Sequence, residues 1–97
     1  MSKIDFYITK KAAMVFRAVN NTLRQQLIKV IDENEPITVT QLYVKLRLEQ
    51  SVASQHLAIL KQVGIVLMRH AGKFRYYSLN KNRIEEINQL ATNIVNW

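Results

Sequence analysis

Gln50, Ser51, Ser54 and Gln55 stand at offsets of 0, 1, 4 and 5, a spacing that gathers four short hydrogen-bonding side chains on one side of a helix. These groups neither titrate near neutrality nor act as strong nucleophiles, so the chemistry open to them is recognition by hydrogen bonding. A Gln amide matches the N6/N7 edge of adenine in two bonds, and a Ser hydroxyl bonds either kind of base edge. Around this face the chain places Lys45, Arg47, Lys61, Arg69, Lys73 and Arg75, cations of the kind that neutralise phosphates and set register. The charge is localised. Of 97 residues, 14 are Lys or Arg and 7 are Asp or Glu, for a net charge of +7, and residues 38–83 hold eight of the cations against Glu49 alone. The last fourteen residues carry only Glu85 and Glu86. An anionic partner, double-stranded DNA above all, follows from these patterns.

Other chemistries lack their residues. With no Cys there are no disulfides, thiolate metal sites or Cys nucleophile. His56 and His70 are the only imidazoles and neither has a second ligand at i+4, so no metal is expected. Paired carboxylates at catalytic spacing, a Ser-His-Asp set and a phosphate-cradling Gly loop are all missing from a chain with two glycines, which excludes an enzyme and calls for no cofactor. Val63 to Met68 is a six-residue apolar stretch, against the roughly 20 residues a membrane span needs. Asp5 and the Lys10-Lys11 pair interrupt any signal-peptide core, so a cytoplasmic protein without membrane attachment is expected.

The elements that must carry the polar face can be read from periodicity and caps. Ile4, Phe6 and Ile8 alternate as a strand would, and Thr9 then offers a cap for a helix from about 9 to 18. Asn21 caps a second helix with the stripe Leu23, Leu27, Val30, Ile31, ending near Asn34 before Glu35-Pro36. Thr38-Val39-Thr40-Gln41 is a capping box that opens a third, with Leu42, Leu46 and either Tyr43 or Val44 inward. After a break at Arg47-Leu48-Glu49 comes the helix bearing the polar face, with Val52 or Ala53, Leu57, Leu60 and Val63 inward and Gly64 at its left-handed end. Two short helices joined by a tight break make a helix-turn-helix. Ile65 to His70 and Lys73 to Leu79, linked by Ala71-Gly72, predict a two-stranded hairpin, and a last helix runs from about 81 to 96. The chain is thus mainly α with a small β-hairpin, in the order α-α-α-α-β-β-α.

The run from Leu48 to Val66, LEQSVASQHLAILKQVGIV, resembles the recognition-helix signature of the ArsR family of bacterial winged helix-turn-helix repressors. Asn21-Thr22-Leu23-Arg24, Val39 to Leu46, and a wing with Gly72, Lys73, Tyr76, Tyr77 and Leu79 extend the resemblance over roughly residues 12–95. It implies one winged helix-turn-helix domain over residues 1–97, acting as a homodimeric transcriptional repressor on an inverted-repeat operator. The fourth helix would enter the major groove, and the wing would reach the backbone or minor groove. Two departures stand out: Thr22 where the family often has Pro, and Glu49 where it often has Ser. The Cys residues that metal-sensing members carry in the third helix, and their Asp and His pairs on the last, are also missing, and no small-molecule effector can be named.

The dimer would form through the first and last helices. Ala12, Val15, Phe16 and Val19 on one, and Ile84, Ile87, Leu90, Ala91 and Ile94 on the other, together with Trp97, present more apolar surface than so small a core can cover. Arg24 is expected to bond a nearby carboxylate or carbonyl rather than phosphate, His56 to sit at the back of its helix, and His70 on the wing surface. Of Tyr76 and Tyr77, one should pack beneath the wing with Leu79 and one face out, with packing favoured over stacking on DNA. The alternative is a winged helix that binds another protein and no DNA, which would need no base-reading face.

Overall fold

The computed structural model describes residues 3–96 as five helices and three strands: α1 Phe6–Val19, α2 Thr22–Asn34, β1 Ile37–Thr38, α3 Val39–Lys45, α4 Gln50–Gln62, β2 Val66–Ala71, β3 Phe74–Leu79 and α5 Lys81–Val95. Trp97 lies outside the described residues. The expected order is found, with one added strand.

Most starts follow the caps read from sequence. The Asn21 side chain accepts from the Arg24 amide at 2.9 Å. The Thr38 box closes in both directions, Gln41 N to Thr38 Oγ1 at 3.1 Å and Thr38 N to Gln41 Oε1 at 3.0 Å. The exception is α1. Asp5 accepts from the amides of Tyr7 and Ile8 at 3.0 and 3.1 Å, so the helix starts at Phe6 and the expected strand-like lead-in is its first turn. Three alternating residues cannot outweigh a carboxylate that satisfies two otherwise unpaired donors at a helix start. Thr9 is therefore inside the helix, its hydroxyl donating to the Asp5 carbonyl at 2.8 Å.

α3 and α4 end alike. Leu48 N bonds the Tyr43 carbonyl and Arg47 N the Val44 carbonyl, while Ile65 N bonds the Leu60 carbonyl and Gly64 N the Lys61 carbonyl, two Schellman endings. Gly64 takes φ 81 at no steric cost, whereas Arg47 holds φ 55 with a Cβ. The turn between the two helices is thus shaped by a backbone conformation that disfavours side chains.

The hairpin is the larger part of a three-stranded antiparallel sheet in the order β1-β3-β2. Ile37 pairs with Tyr77 and Thr38 with Tyr76, so the expected two-stranded hairpin gains a short third strand at its base. Alternation along β3 sends Tyr77 and Leu79 inward. They join Leu27 and Ile31 of α2, Ile37, Leu42 of α3, Leu57 and Leu60 of α4, Ile65 and Val66 in one core. Each such side chain contributes about 1.5–3 kcal/mol by leaving water. Ala53 is fully buried against α4's neighbours and Val52 half-buried, while Tyr43 is the half-buried member of its pair and Val44 is exposed.

Replacing Gly64 with Ala should lower stability by about 1–2 kcal/mol, because an L residue must then adopt the left-handed conformation. The nearest atom to an added Cβ, Arg83 Nε, is 3.5 Å away, so crowding adds little. The midpoint of urea unfolding measures it, and an unchanged midpoint would show that the α4 ending relaxes freely.

Candidate nucleic-acid interface

α4 divides along its length. Ala53, Leu57 and Leu60 are fully buried on one side, and Gln50, Ser51 and Gln55 are exposed on the other. Ser54 is half-buried at the edge of that polar face, so of the four expected readers it presents the least surface. Glu49 occupies the position before α4 and makes no capping hydrogen bond with its side chain, leaving its charge exposed beside the positive end of the helix.

His56 lies behind this face, where Arg24 reaches it. The Arg24 guanidinium donates from Nη1 to His56 Nδ1 at 3.1 Å, from Nε to the Ala18 carbonyl at 2.6 Å and from Nη2 to the Arg17 carbonyl at 3.1 Å. One planar fork from α2 thereby joins the end of α1 to the middle of α4. Because Arg can only donate, Nδ1 must accept, which puts the proton of the neutral ring on Nε2. Burial, and secondarily the Arg24 charge, hold the His56 pKa below its ordinary value. The expected carbonyl-bonding role of Arg24 and the rear position of His56 are both present.

The six expected phosphate-binding cations spread from α3 to the wing. Lys45 and Lys61 stand exposed in the last turns of α3 and α4, and Arg47 in the turn between them. Arg69 lies over the Tyr76 ring and Lys73 over the Phe74 ring, each 5.5 Å from the centroid, and Arg75 is exposed on β3. Among the described residues none of the six forms an ion pair, whereas Lys81 is held by Asp32 and Glu35 at 3.0 and 3.2 Å and Arg83 faces Glu86 at 3.9 Å. The basic excess is therefore divided into engaged cations at the base of α5 and unengaged ones along α3, α4 and the hairpin. His70 is exposed on the wing, and Tyr77 is the buried tyrosine.

α1 and α5 flank a groove of about 420 Å³ that Ala12, Val15, Phe16, Ile87 and Leu90 line, together with Ile8, Lys11, Arg83 and Glu86. Val19, Ile84 and Ile87 pack partly against the core. Ala91 is half-buried one turn further on, and Leu90, Ile94 and Val95 remain 47%, 56% and 63% exposed. Periodicity alone missed the first turn of α1, where Phe6, Tyr7 and Ile8, with Ile4 just before it, are also exposed. Asp5 was the signal for it. Phe74, counted only as a strand residue, was missed as a surface feature, and its place beside Gly72-Lys73 was the available clue.

Residues 22–67, from the start of α2 into β2, match the family model described as bacterial regulatory protein, arsR family. The chain is 35% identical to the uncharacterized HTH-type transcriptional regulator MJ1325 of Methanocaldococcus jannaschii over 84% of this chain and 91% of that protein. It is 32% identical to the transcriptional repressor PagR of Bacillus anthracis over 91% of this chain and 88% of PagR. In fold it is similar to the homodimeric winged helix-turn-helix DNA-binding domain of Mb0332 from Mycobacterium bovis, with a TM-score of 0.76 at 19% identity over 97% of this chain and 90% of that one.

The burial of His56 beside the Arg24 charge predicts a pH dependence of stability. A His with a lowered pKa binds fewer protons folded than unfolded, so its contribution is complete above the unfolded value of about 6.5 and is lost as pH falls from there through the folded value. Urea midpoints should be level from about pH 8 to 7 and decline toward pH 5, above the usual carboxylate range. His56→Gln, whose amide oxygen can still accept from Arg24, should flatten that decline; an equal decline in the variant would place its origin elsewhere.

Proposed function

The chain belongs to the arsR family of bacterial regulatory proteins and is a DNA-binding transcriptional regulator of the winged helix-turn-helix fold, and from that premise we propose that it represses transcription in the cytoplasm as a homodimer on an inverted-repeat operator. In this reading α4 lies in the major groove, with Gln50, Ser51, Ser54 and Gln55 toward base edges. Lys45, Arg47, Lys61, Arg69, Lys73 and Arg75 meet phosphates on either side. The observation that carries it is the pairing of an uncharged polar face on α4 with six cations that have no carboxylate partner among the described residues. Such a surface suits a polyanion whose bases are to be distinguished. A regulator of this family has no catalytic step to perform, and the reading calls for no metal or cofactor.

Homodimerisation is supported by the shape of the single chain. Its Cα radius of gyration is 15.1 Å and its longest extent 53 Å, against about 13 Å for a compact chain of 100 residues. α5 has no buried residue, and the exposed apolar side chains concentrate at the start of α1 and the end of α5. A two-fold axis through those helices covers both patches with one isologous contact. It also sets the two α4 helices about 34 Å apart, one DNA turn. PagR is named a repressor and the Mb0332 domain is described as homodimeric, which agrees with this reading.

Gln55→Ala should cost about 1–3 kcal/mol on duplexes that the wild-type protein selects from a random library, and should relax preference at one base position. Ser54→Ala, at a half-buried position, should cost less. Fluorescence anisotropy over a salt series checks both. Retention of affinity and preference by the double variant would remove α4 as the reader, and binding without salt dependence would point to a protein partner instead.

Leu90→Glu with Ile94→Glu should give a monomer of about half the wild-type mass that binds DNA weakly. Both sites are exposed in the single chain, so folding should survive. Sedimentation equilibrium decides: a wild-type mass of 11.3 kDa at micromolar concentration, or a variant that stays dimeric, contradicts the interface.

A further inference from the structure

The hairpin of β2 and β3 carries an aromatic side chain that stands outside the core. β1 pairs only with Tyr76 and Tyr77, so the distal part of the hairpin, His70 and Ala71 against Phe74 and Arg75, extends beyond the third strand. Phe74 sits at that end, beside the turn, and is 46% exposed, whereas Tyr77 on the opposite face is 7% exposed in the core. An apolar ring half in water at a projecting tip gains burial only when something else covers it.

The surroundings of the ring define what that is. Phe74 meets Tyr76 edge to face with centroids 6.3 Å apart, Arg69 lies over the Tyr76 ring at 5.5 Å from its centroid, and Lys73 lies 5.5 Å from the Phe74 centroid. The ring is therefore backed and held in place. From Val66 to Leu79 the hairpin has no acidic residue but has Arg69, Lys73 and Arg75. Gly72 has nothing within 4 Å of where a Cβ would stand, so the turn is slim and unobstructed. A narrow, cationic tip that leads with a fixed aromatic ring fits the minor groove, where apolar side chains wedge against base steps that unstack easily.

We propose that Phe74 is a specificity-determining residue: it wedges into the minor groove beside each α4 half-site and makes binding favour flexible pyrimidine–purine steps there. Lys73 and Arg75 hold the flanking phosphates, and Tyr76 keeps the ring from folding back. The inference rests on the DNA-binding reading above, yet concerns bases outside those that α4 faces.

The test uses duplexes selected by the full-length wild-type protein, rebuilt with either a TA step or a GC-rich flank where the wing falls. Wild-type protein should bind the TA-flanked duplex several-fold more tightly. Phe74→Ala should lose roughly tenfold in affinity on that duplex and rank the flanks equally, while still discriminating changes within the half-site. Phe74→Trp should restore the ranking, and in a Trp97→Phe background its indole emission should be quenched on binding. Affinity and flank ranking unchanged in Phe74→Ala, or Phe74→Trp emission unchanged in a complex that forms, overturns the proposal while leaving α4 as reader. Failure of the wild-type protein to bind any duplex removes both readings. Far-UV circular dichroism of each variant separates loss of fold, which would also abolish half-site discrimination, from loss of the wedge.

Discussion

Two guanidinium groups hold α4 in position, and the surface it presents depends on them. Arg24 of α2 ties His56 to the carbonyl end of α1 through bonds of 2.6 to 3.1 Å. Arg83 of α5 donates to the Val63 carbonyl at 3.0 Å, at the other end of α4. Leu57 and Leu60 supply the burial energy, but apolar contacts are non-directional and allow a helix to slide or roll. A fork of fixed geometry does not, because a displaced carbonyl at a partly buried site loses a charge-assisted bond without a water to replace it at the same angle. Together with the close packing of Ala53, Leu57 and Leu60, these bonds give the polar residues on α4 a defined direction.

Both ties lead to the helices whose apolar faces lack cover. Arg24 connects α4 to α1, and Arg83 connects it to α5. The placement of α4 is thus tied to both α1 and α5 by directional bonds. This accounts for the engagement of Arg83 and Lys81 in local contacts within a chain whose other central cations are left open. The Glu35 carboxylate does the matching work on the sheet side, accepting from Leu79 N at 2.7 Å and pairing with Lys81 at 3.2 Å, so that the end of α2, the end of β3 and the start of α5 meet at one point.

What could be read from the sequence was local in origin. The Asn21 cap, the Thr38–Gln41 box, the Gly64 ending and the inward stripe of α4 each depend on residues within a few positions of one another, and each is found. β1 was not legible, because two residues have no periodicity and become a strand only by pairing with Tyr76 and Tyr77 far along the chain. The start of α1 departs from the sequence expectation for the opposite reason: the alternation of Ile4, Phe6 and Ile8 suggests a strand, whereas the single cap Asp5 decides the conformation. The exposure of Gln50, Ser51 and Gln55 follows from the helical stripe, and the Arg83–Glu86 pair from i,i+3 spacing, whereas the engagement of Lys81 by Asp32 and Glu35 depends on an approach of α2 to α5 that no local pattern encodes. Phe74 escaped notice because a strand pattern tells which face a residue occupies and not whether a third strand covers it.

Arg47 and Glu49 show that the turn before α4 is not built for stability alone. A glycine would take φ 55 there without strain, and a Ser or Asp would cap α4 where the Glu49 side chain makes no bond. The chain instead places a cation in the strained position and an anion at the helix start, two residues apart on an exposed turn. Near a phosphate these charges act in opposite directions, Arg47 attracting it and Glu49 competing with it for the positive end of α4. Arg47 thus adds to the attraction that Lys45, Lys61 and the wing exert, while Glu49 sets a charge against phosphate only at the first turn of α4 itself. In the DNA-binding reading, Gln50 and Ser51 would then meet bases at the end of α4 where Glu49 disfavours a phosphate on the helix dipole, so that discrimination there falls to the hydrogen bonds these two side chains make with base edges.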